Sequence, residues 1–334
     1  MGAYDQAIAA AQRALALATI GGDIVLQALA NQYLGRAYHA QGDYRRAIDC
    51  FEQTVAALEG ARRLERFGQV ILPTVLSRAY LARCHAELGM FAEGHPLVEE
   101  GLRIAQAADH PLSLMVASWS GGLLALRQGD LARVLPRLER AVSMCQDADH
   151  QTFFPLMAAI LGAAYTLSRR IADAVPLLTQ AMEQTTATEM AGFQALCRLP
   201  LSEAQLVAGL LEEAHTLAEQ TLAHAHEHQE RGNQAYALCL LGDIAVQREP
   251  PESVTAEAHY RQALALAEAL GMRPLVAHCH RGLGTLYSRA ERLDEARAAL
   301  STAVHMYRTM EMALWLPQAE AMLVQIGGRS QRQG

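Results

Sequence analysis

The sequence predicts an all-α fold: a right-handed α-α superhelical solenoid with a period of ~40 residues and about 16 helices in 334 residues. Three observations predict it. A turn motif returns along the chain at nearly constant spacing. A small-residue and aromatic pattern recurs at fixed positions within each unit. The composition is 51% hydrophobic but only 5% aromatic, the difference being Ala and Leu, which carry high helix propensity and let helices approach closely.

The turn motif Gly2-Ala-Tyr4 reappears as Gly42-Asp-Tyr44, then at Gly89, Gly129, Arg169 and Gly209, with offsets of 40, 47, 40, 40 and 40 residues. Two further copies centre near Glu249 and Glu291. Within a unit, Leu34-Gly35…Tyr38 is followed by Ala47 and Phe51. Leu161-Gly162…Tyr165 is followed by Ala174 and Leu178, and Leu283-Gly284…Tyr287 by Ala296 and Leu300. Glycine to alanine is 12 residues in all three. This is the tetratricopeptide-like pattern: the small residue on helix A lets helix B cross closely, and the turn glycine adopts a left-handed conformation. The period exceeds the usual 34 residues, so longer B helices are expected.

Taken in order, residues 1–22 form a half repeat holding only a B helix, Tyr4 to about Ile20. Residues 23–311 hold seven helix pairs, 312–327 form a C-terminal capping helix, and 328–334 form a polar tail. The 47-residue interval is expected to lengthen the helix after Phe51 by one heptad, or ~10 Å. Glu249-Pro250-Pro251-Glu252 reads as a rigid loop, because Pro disfavours helix at the residue before it. A solenoid opening on a B helix exposes an apolar face. The expectation is therefore a C-terminal piece of a longer protein, or self-association through the N-terminal half repeat.

The composition excludes several function classes. A net charge of −7 without a basic stripe argues against nucleic acid. All 28 cationic residues are Arg, so neither a phosphate-loop lysine nor a Schiff-base lysine is present. Cys50, Cys84, Cys145, Cys197, Cys239 and Cys279 form no CxxC pair and read as reduced core thiols, each within a helix, in a cytoplasmic protein. No signal peptide is evident. The longest apolar run, Phe153 to Leu167, is short of the ~20 residues a membrane span needs. No nucleophile–base pair, closed metal set or phosphate-binding loop is apparent, so an enzyme is not expected and no cofactor is implied.

The run from Ala256 through Tyr260 to Pro274, with Ala277–Tyr287 and Trp315–Glu320, resembles the C-terminal tetratricopeptide region of bacterial multidomain signalling proteins. In those proteins an adenylate/guanylate cyclase domain and a STAND/AAA-type ATPase precede the repeats. Leu58–Gly68 resembles the same family. The resemblance implies a regulatory, partner-sensing array and carries over no catalytic residue.

In such an array the A helices line a concave groove, where a protein or peptide ligand is expected. Its inner face carries Tyr33, Arg36 and His39 in the first full repeat, Tyr80 and Arg83 in the second, and Trp119 and Arg127 in the third. Arg and aromatic side chains anchor interfaces, and Arg holds carboxylates in a bidentate fork. Further along, the same positions hold Glu203 and Asp243. The expectation is a cationic-aromatic half suited to an acidic or C-terminal peptide, against the alternative of ordinary solvated residues. His224 and His228 stand at i,i+4 and make a weak metal candidate lacking a third ligand. Met306, Met310 and Met312 read as gap-fillers.

Overall fold

The computed structural model describes residues 3–132, 134–145, 148–187 and 191–333, so Gly2 and Gly334 lie outside the described residues. Among the described residues there are sixteen α-helices and no strand. The first eight are α1 (Ala3–Ile20), α2 (Ile24–Gln41), α3 (Tyr44–Ala57), α4 (Pro73–Leu88), α5 (Phe91–Ala107), α6 (Pro111–Gln128), α7 (Leu135–Met144) and α8 (Phe154–Leu167). The rest are α9 (Ile171–Ala187), α10 (Ala191–Ala208), α11 (Leu211–Glu227), α12 (Arg231–Gln247), α13 (Ser253–Leu270), α14 (Arg273–Arg289), α15 (Leu293–Thr309) and α16 (Leu316–Gln333). From α2 to α15 each even-numbered helix packs on the next odd-numbered one, and α1 and α16 cover the two ends.

Local chemistry sets the boundaries. Asp23 caps α2 by accepting hydrogen bonds from the Val25 and Leu26 amides, and Asp43 caps α3 through the Arg46 amide. Proline opens α4, α6, α8 and α14, where its missing N–H costs nothing. Gly42, Gly89, Gly129 and Gly209 end their A helices at φ of 84°, 72°, 85° and 82°, the left-handed region. Arg169 and Glu291 occupy the same place at 60° and 59° without that freedom.

The small residue of helix A is explained by its contact with helix B. A Cβ at Gly35 would lie 2.8 Å from the Phe51 ring, one at Gly162 2.4 Å from Leu178, and one at Gly284 2.5 Å from Leu300. In the second and fifth units Ala82 and Ser202, both fully buried, stand in for the glycine. Ser202 also donates its hydroxyl to the Ala214 carbonyl of the facing helix at 2.6 Å.

Three details differ from the sequence reading. The extra heptad does not lengthen α3, which ends at Ala57; residues 60–64 form a 3₁₀ turn instead. Gly60, Phe67 and Gly68 all take positive φ, which no helix continues through. The last helix begins at Leu316 rather than Met312 and runs through Gly327 and Gly328 to Gln333, since glycine weakens a helix by about 1 kcal/mol without ending it. The side chains of the 328–334 tail lie outside the described residues. Cys145 sits one residue past α7 as its cap rather than inside a helix; all six thiols are free and five are buried. No described helix is long and apolar enough to cross a membrane.

The superhelix is wound tightly enough for its second turn to seat on its first. Gly42 meets Gly232 and Leu270, Gly89 meets Pro274 and Met310, and Gly129 meets Leu314 and Trp315. Met310 and Met312 are buried there as packing residues. Tyr4 donates to Glu230 at 2.8 Å across the same seam. One core cluster accordingly joins Tyr44 and Phe51 with Tyr260, Tyr287 and Ile326. The A helices face inward around this winding and enclose the concave surface.

Candidate functional site

The A helices bring most of the expected groove residues into one chain of contacts. Arg36 lies 5.7 Å from the Tyr33 ring and 5.9 Å from the Tyr80 ring. Arg83 stands 4.8 Å over Tyr80 and 3.9 Å over Trp119, both within cation–π range. His39 packs edge-on to Tyr80 and Tyr44 at 5.3 and 5.5 Å. Tyr33 and Arg36 are exposed, whereas Arg83 and Trp119 are 8% and 5% exposed and form the floor rather than the rim. The Arg83 Nε and the His39 Nε2 have no hydrogen-bond partner. Burial, with Arg83 nearby, holds His39 well below its usual range, so its imidazole is neutral.

Arg127 is placed apart from this cluster. It pairs with Glu87 at 3.1 Å and stacks on Tyr236 at 4.0 Å, and Tyr236 donates its hydroxyl to the same carboxylate at 2.5 Å. This triad ties α4 and α6 to α12 across the turns of the superhelix. Arg127 and Tyr236 also line a cleft of about 640 Å³ on the concave face.

Both signs of charge line that cleft. Glu203 on α10 and Asp243 on α12 face Arg127 and Arg281. Asp243 accepts a hydrogen bond from Tyr260 at 2.5 Å, while Arg289 donates to the Val246 carbonyl at 2.7 Å. Glu203 and Arg281 make no side-chain hydrogen bond or ion pair among the described residues. Burial pushes the Glu203 carboxyl up to about 7 against the pull of Arg127, with Asp243 adding to the rise. Burial raises Asp243 as well, opposed by Arg281 and the Tyr260 hydrogen bond. His278 lies 2.8 Å from the Tyr307 hydroxyl and 4.7 Å from the Trp315 ring, and burial holds it neutral.

The sequence reading placed Glu203 and Asp243 on the inner face but missed Glu87, Tyr236, Arg281 and Trp315. Glu87 falls one turn beyond Arg83 on the same helix, a periodic signal that could have marked it. Tyr236 and Trp315 reach the site through turn-on-turn winding, for which adjacent repeats carry no signal.

The His224 and His228 rings stack at 4.1 Å, and His228 Nδ1 lies 2.9 Å from the His224 carbonyl. No group of three metal-capable side chains occurs among the described residues.

Comparison with known proteins agrees with this architecture. The tetratricopeptide repeat model matches residues 1–60 and 252–309. No curated protein sequence matches the chain. The structure is similar to a Rap protein complexed with competence and sporulation factor, with a TM-score of 0.66, 13% identity, and coverage of 90% of this chain and 85% of that one. It is similar to the Rap conjugation gene regulator of plasmid pLS20 in complex with the Phr* peptide, with a TM-score of 0.65, 15% identity, and coverage of 87% and 77%. It is also similar to NprR in complex with its cognate peptide NprX, with a TM-score of 0.57, 14% identity, and coverage of 88% and 87%. At these identities the likeness is one of fold. The chain is an all-α solenoid carrying tetratricopeptide repeats, wound so that its concave face closes around a charged, aromatic cleft.

Proposed function

We propose that the chain is a non-catalytic sensor and regulatory module that binds a protein or peptide segment on its concave face. The cleft carries this reading: about 640 Å³, within the range of ligand pockets, and walled by Arg, aromatic and carboxylate side chains. The similar pLS20 Rap regulator and NprR structures are complexes with the Phr* and NprX peptides, which supports the reading. Arg36, Arg83, Tyr33 and Tyr80 lie outside the lining of that cleft, and we assign their cationic-aromatic cluster on α2 and α4 to an acidic or C-terminal part of the same segment.

The test is fluorescence polarisation against labelled peptides with acidic C-termini. Arg36→Ala with Arg83→Ala is expected to weaken binding at least tenfold at unchanged helicity, and exposed Arg36→Ala alone by a smaller factor. Unchanged affinity in both variants removes these residues from the groove.

On the resemblance to cyclase–ATPase tails, we infer that the module belongs to a larger bacterial signalling protein of the cytoplasm. A second reading, a free-standing adaptor that self-associates through the half repeat, draws on the exposed Leu17, Ile20, Ile24 and Leu26 at that end. An immunoblot of the source organism separates them. A band several times larger than 36.3 kDa is expected; a band at that mass sinks the multidomain reading.

A further inference from the structure

The cleft holds two charged groups that the protein itself leaves without a counterpart. Arg281 on α14 lines the cavity, and its side chain has no hydrogen-bond or ion-pair partner among the described residues. Its neighbours are differently placed, since Arg127 is taken by Glu87 and Arg289 by the Val246 carbonyl. Asp243 influences Arg281 electrostatically but forms no ion pair with it, and it is engaged by the Tyr260 hydroxyl. Across the same cleft, Glu203 on α10 lacks any donor, with Asp243 adding a second negative charge beside it. Arg281 and Glu203 are both half-buried and line the same cleft, so their charged ends are open to a ligand that enters it.

A purely anionic ligand would satisfy Arg281 and leave Glu203 against a like charge. A purely cationic one would do the reverse. We infer that the cleft seats a short zwitterion, its carboxylate on Arg281 and its ammonium on the Glu203–Asp243 pair: a small linear peptide with both ends free, or a free amino acid. The inference rests on the segment-binding reading and narrows it to a ligand whose two termini lie inside one cleft. Tyr236 and Trp315 add aromatic surface to the lining of the same cleft. Arg forks match carboxylates in a bidentate geometry, which gives the carboxylate end its orientation.

The probe is a randomised tetrapeptide pool in four forms: both ends free, N-acetylated, C-amidated, and doubly blocked. Species retained by the full chain are identified by mass spectrometry and measured by calorimetry. Free leucine and arginine are titrated alongside. Free-ended peptides are expected to bind, with acetylation and amidation each weakening them at least tenfold. Glu203→Gln should abolish the sensitivity to acetylation and Arg281→Gln the sensitivity to amidation, each leaving the other intact. This crossed pattern cannot arise from loss of folding. Free amino acids that bind as tightly as the tetrapeptides assign the zwitterion to an amino acid; weaker binding assigns it to a peptide. Doubly blocked peptides that bind as well as free ones overturn the inference and leave segment binding standing. A chain that retains no peptide in any form overturns the segment-binding reading, and one that also binds no free amino acid overturns both.

Discussion

Phe51→Ala is expected to destabilise the solenoid by about 3–5 kcal/mol, and adding Gly35→Ala to it is expected to cost nothing further. Phe51 is fully buried and sits under α2, with three ring atoms 2.8–3.0 Å from where a Cβ on Gly35 would lie. Truncating the ring leaves a cavity between α2 and α3 that two helices fixed at both ends cannot collapse to fill. It also loosens the core cluster that joins the first turn of the superhelix to the second. In the wild type, Gly35→Ala drives a methyl into the ring, an overpacking cost of about 1–3 kcal/mol. Once the ring is gone, the same methyl fills space and gains the helix propensity that glycine lacks, about 1 kcal/mol. Urea unfolding of the four proteins in a double-mutant cycle reads the difference. Additive effects would mean that the glycine is not there to admit the ring.

Glu203→Gln is expected to raise stability by about 3 kcal/mol at pH 8 and to leave it unchanged near pH 4. The folded carboxyl titrates at about 7 against 4.5 for an unperturbed glutamate, so folding favours its protonated form. Below the unfolded value both states are protonated and the group costs nothing. Between about 4.5 and 7 the unfolded chain releases its proton first, and stability falls as pH rises. Above that window the cost is complete, and glutamine removes it. Asp243 is shifted in the same direction by its own burial, so the wild type should retain part of the slope after the substitution. Thermal or urea midpoints of the two proteins at several pH values measure the window. A Glu203→Gln protein with the wild-type pH profile would show that the carboxylate is compensated in the folded state.

Much of the fold was legible because repeat architecture is written locally. The Leu-Gly-x-x-Tyr…Ala spacing encodes a contact between a helix and its immediate successor, as Gly162 with Leu178 shows. The turn glycines encode a backbone angle that few other residues adopt without strain, so their spacing reports the helix ends directly. The 47-residue interval was less legible. Its excess over the 40-residue period is one heptad, but Gly60 and Gly68 take left-handed angles and turn the segment after α3 into a loop. Length alone does not distinguish two more helical turns from a 3₁₀ turn and an extended return.

The site was legible by half, and the division has a physical origin. Arg36, Arg83, Glu203 and Asp243 occupy the same register on successive A helices, so the sequence alone placed them on the inner face. Which of them are buried, and which find partners, depends on how far the superhelix winds. The winding is the sum of small rotations between neighbouring units and appears in no single repeat. It brings Tyr236 onto Glu87 and Trp315 onto Gly129, pairs far apart in the chain. The sequence by itself determined an all-α array of helix pairs with a charged and aromatic inner face. Only the tertiary structure decided that this face closes into a cleft, with Arg127 satisfied and Arg281 and Glu203 left open, because burial and pairing are properties of the accumulated curvature.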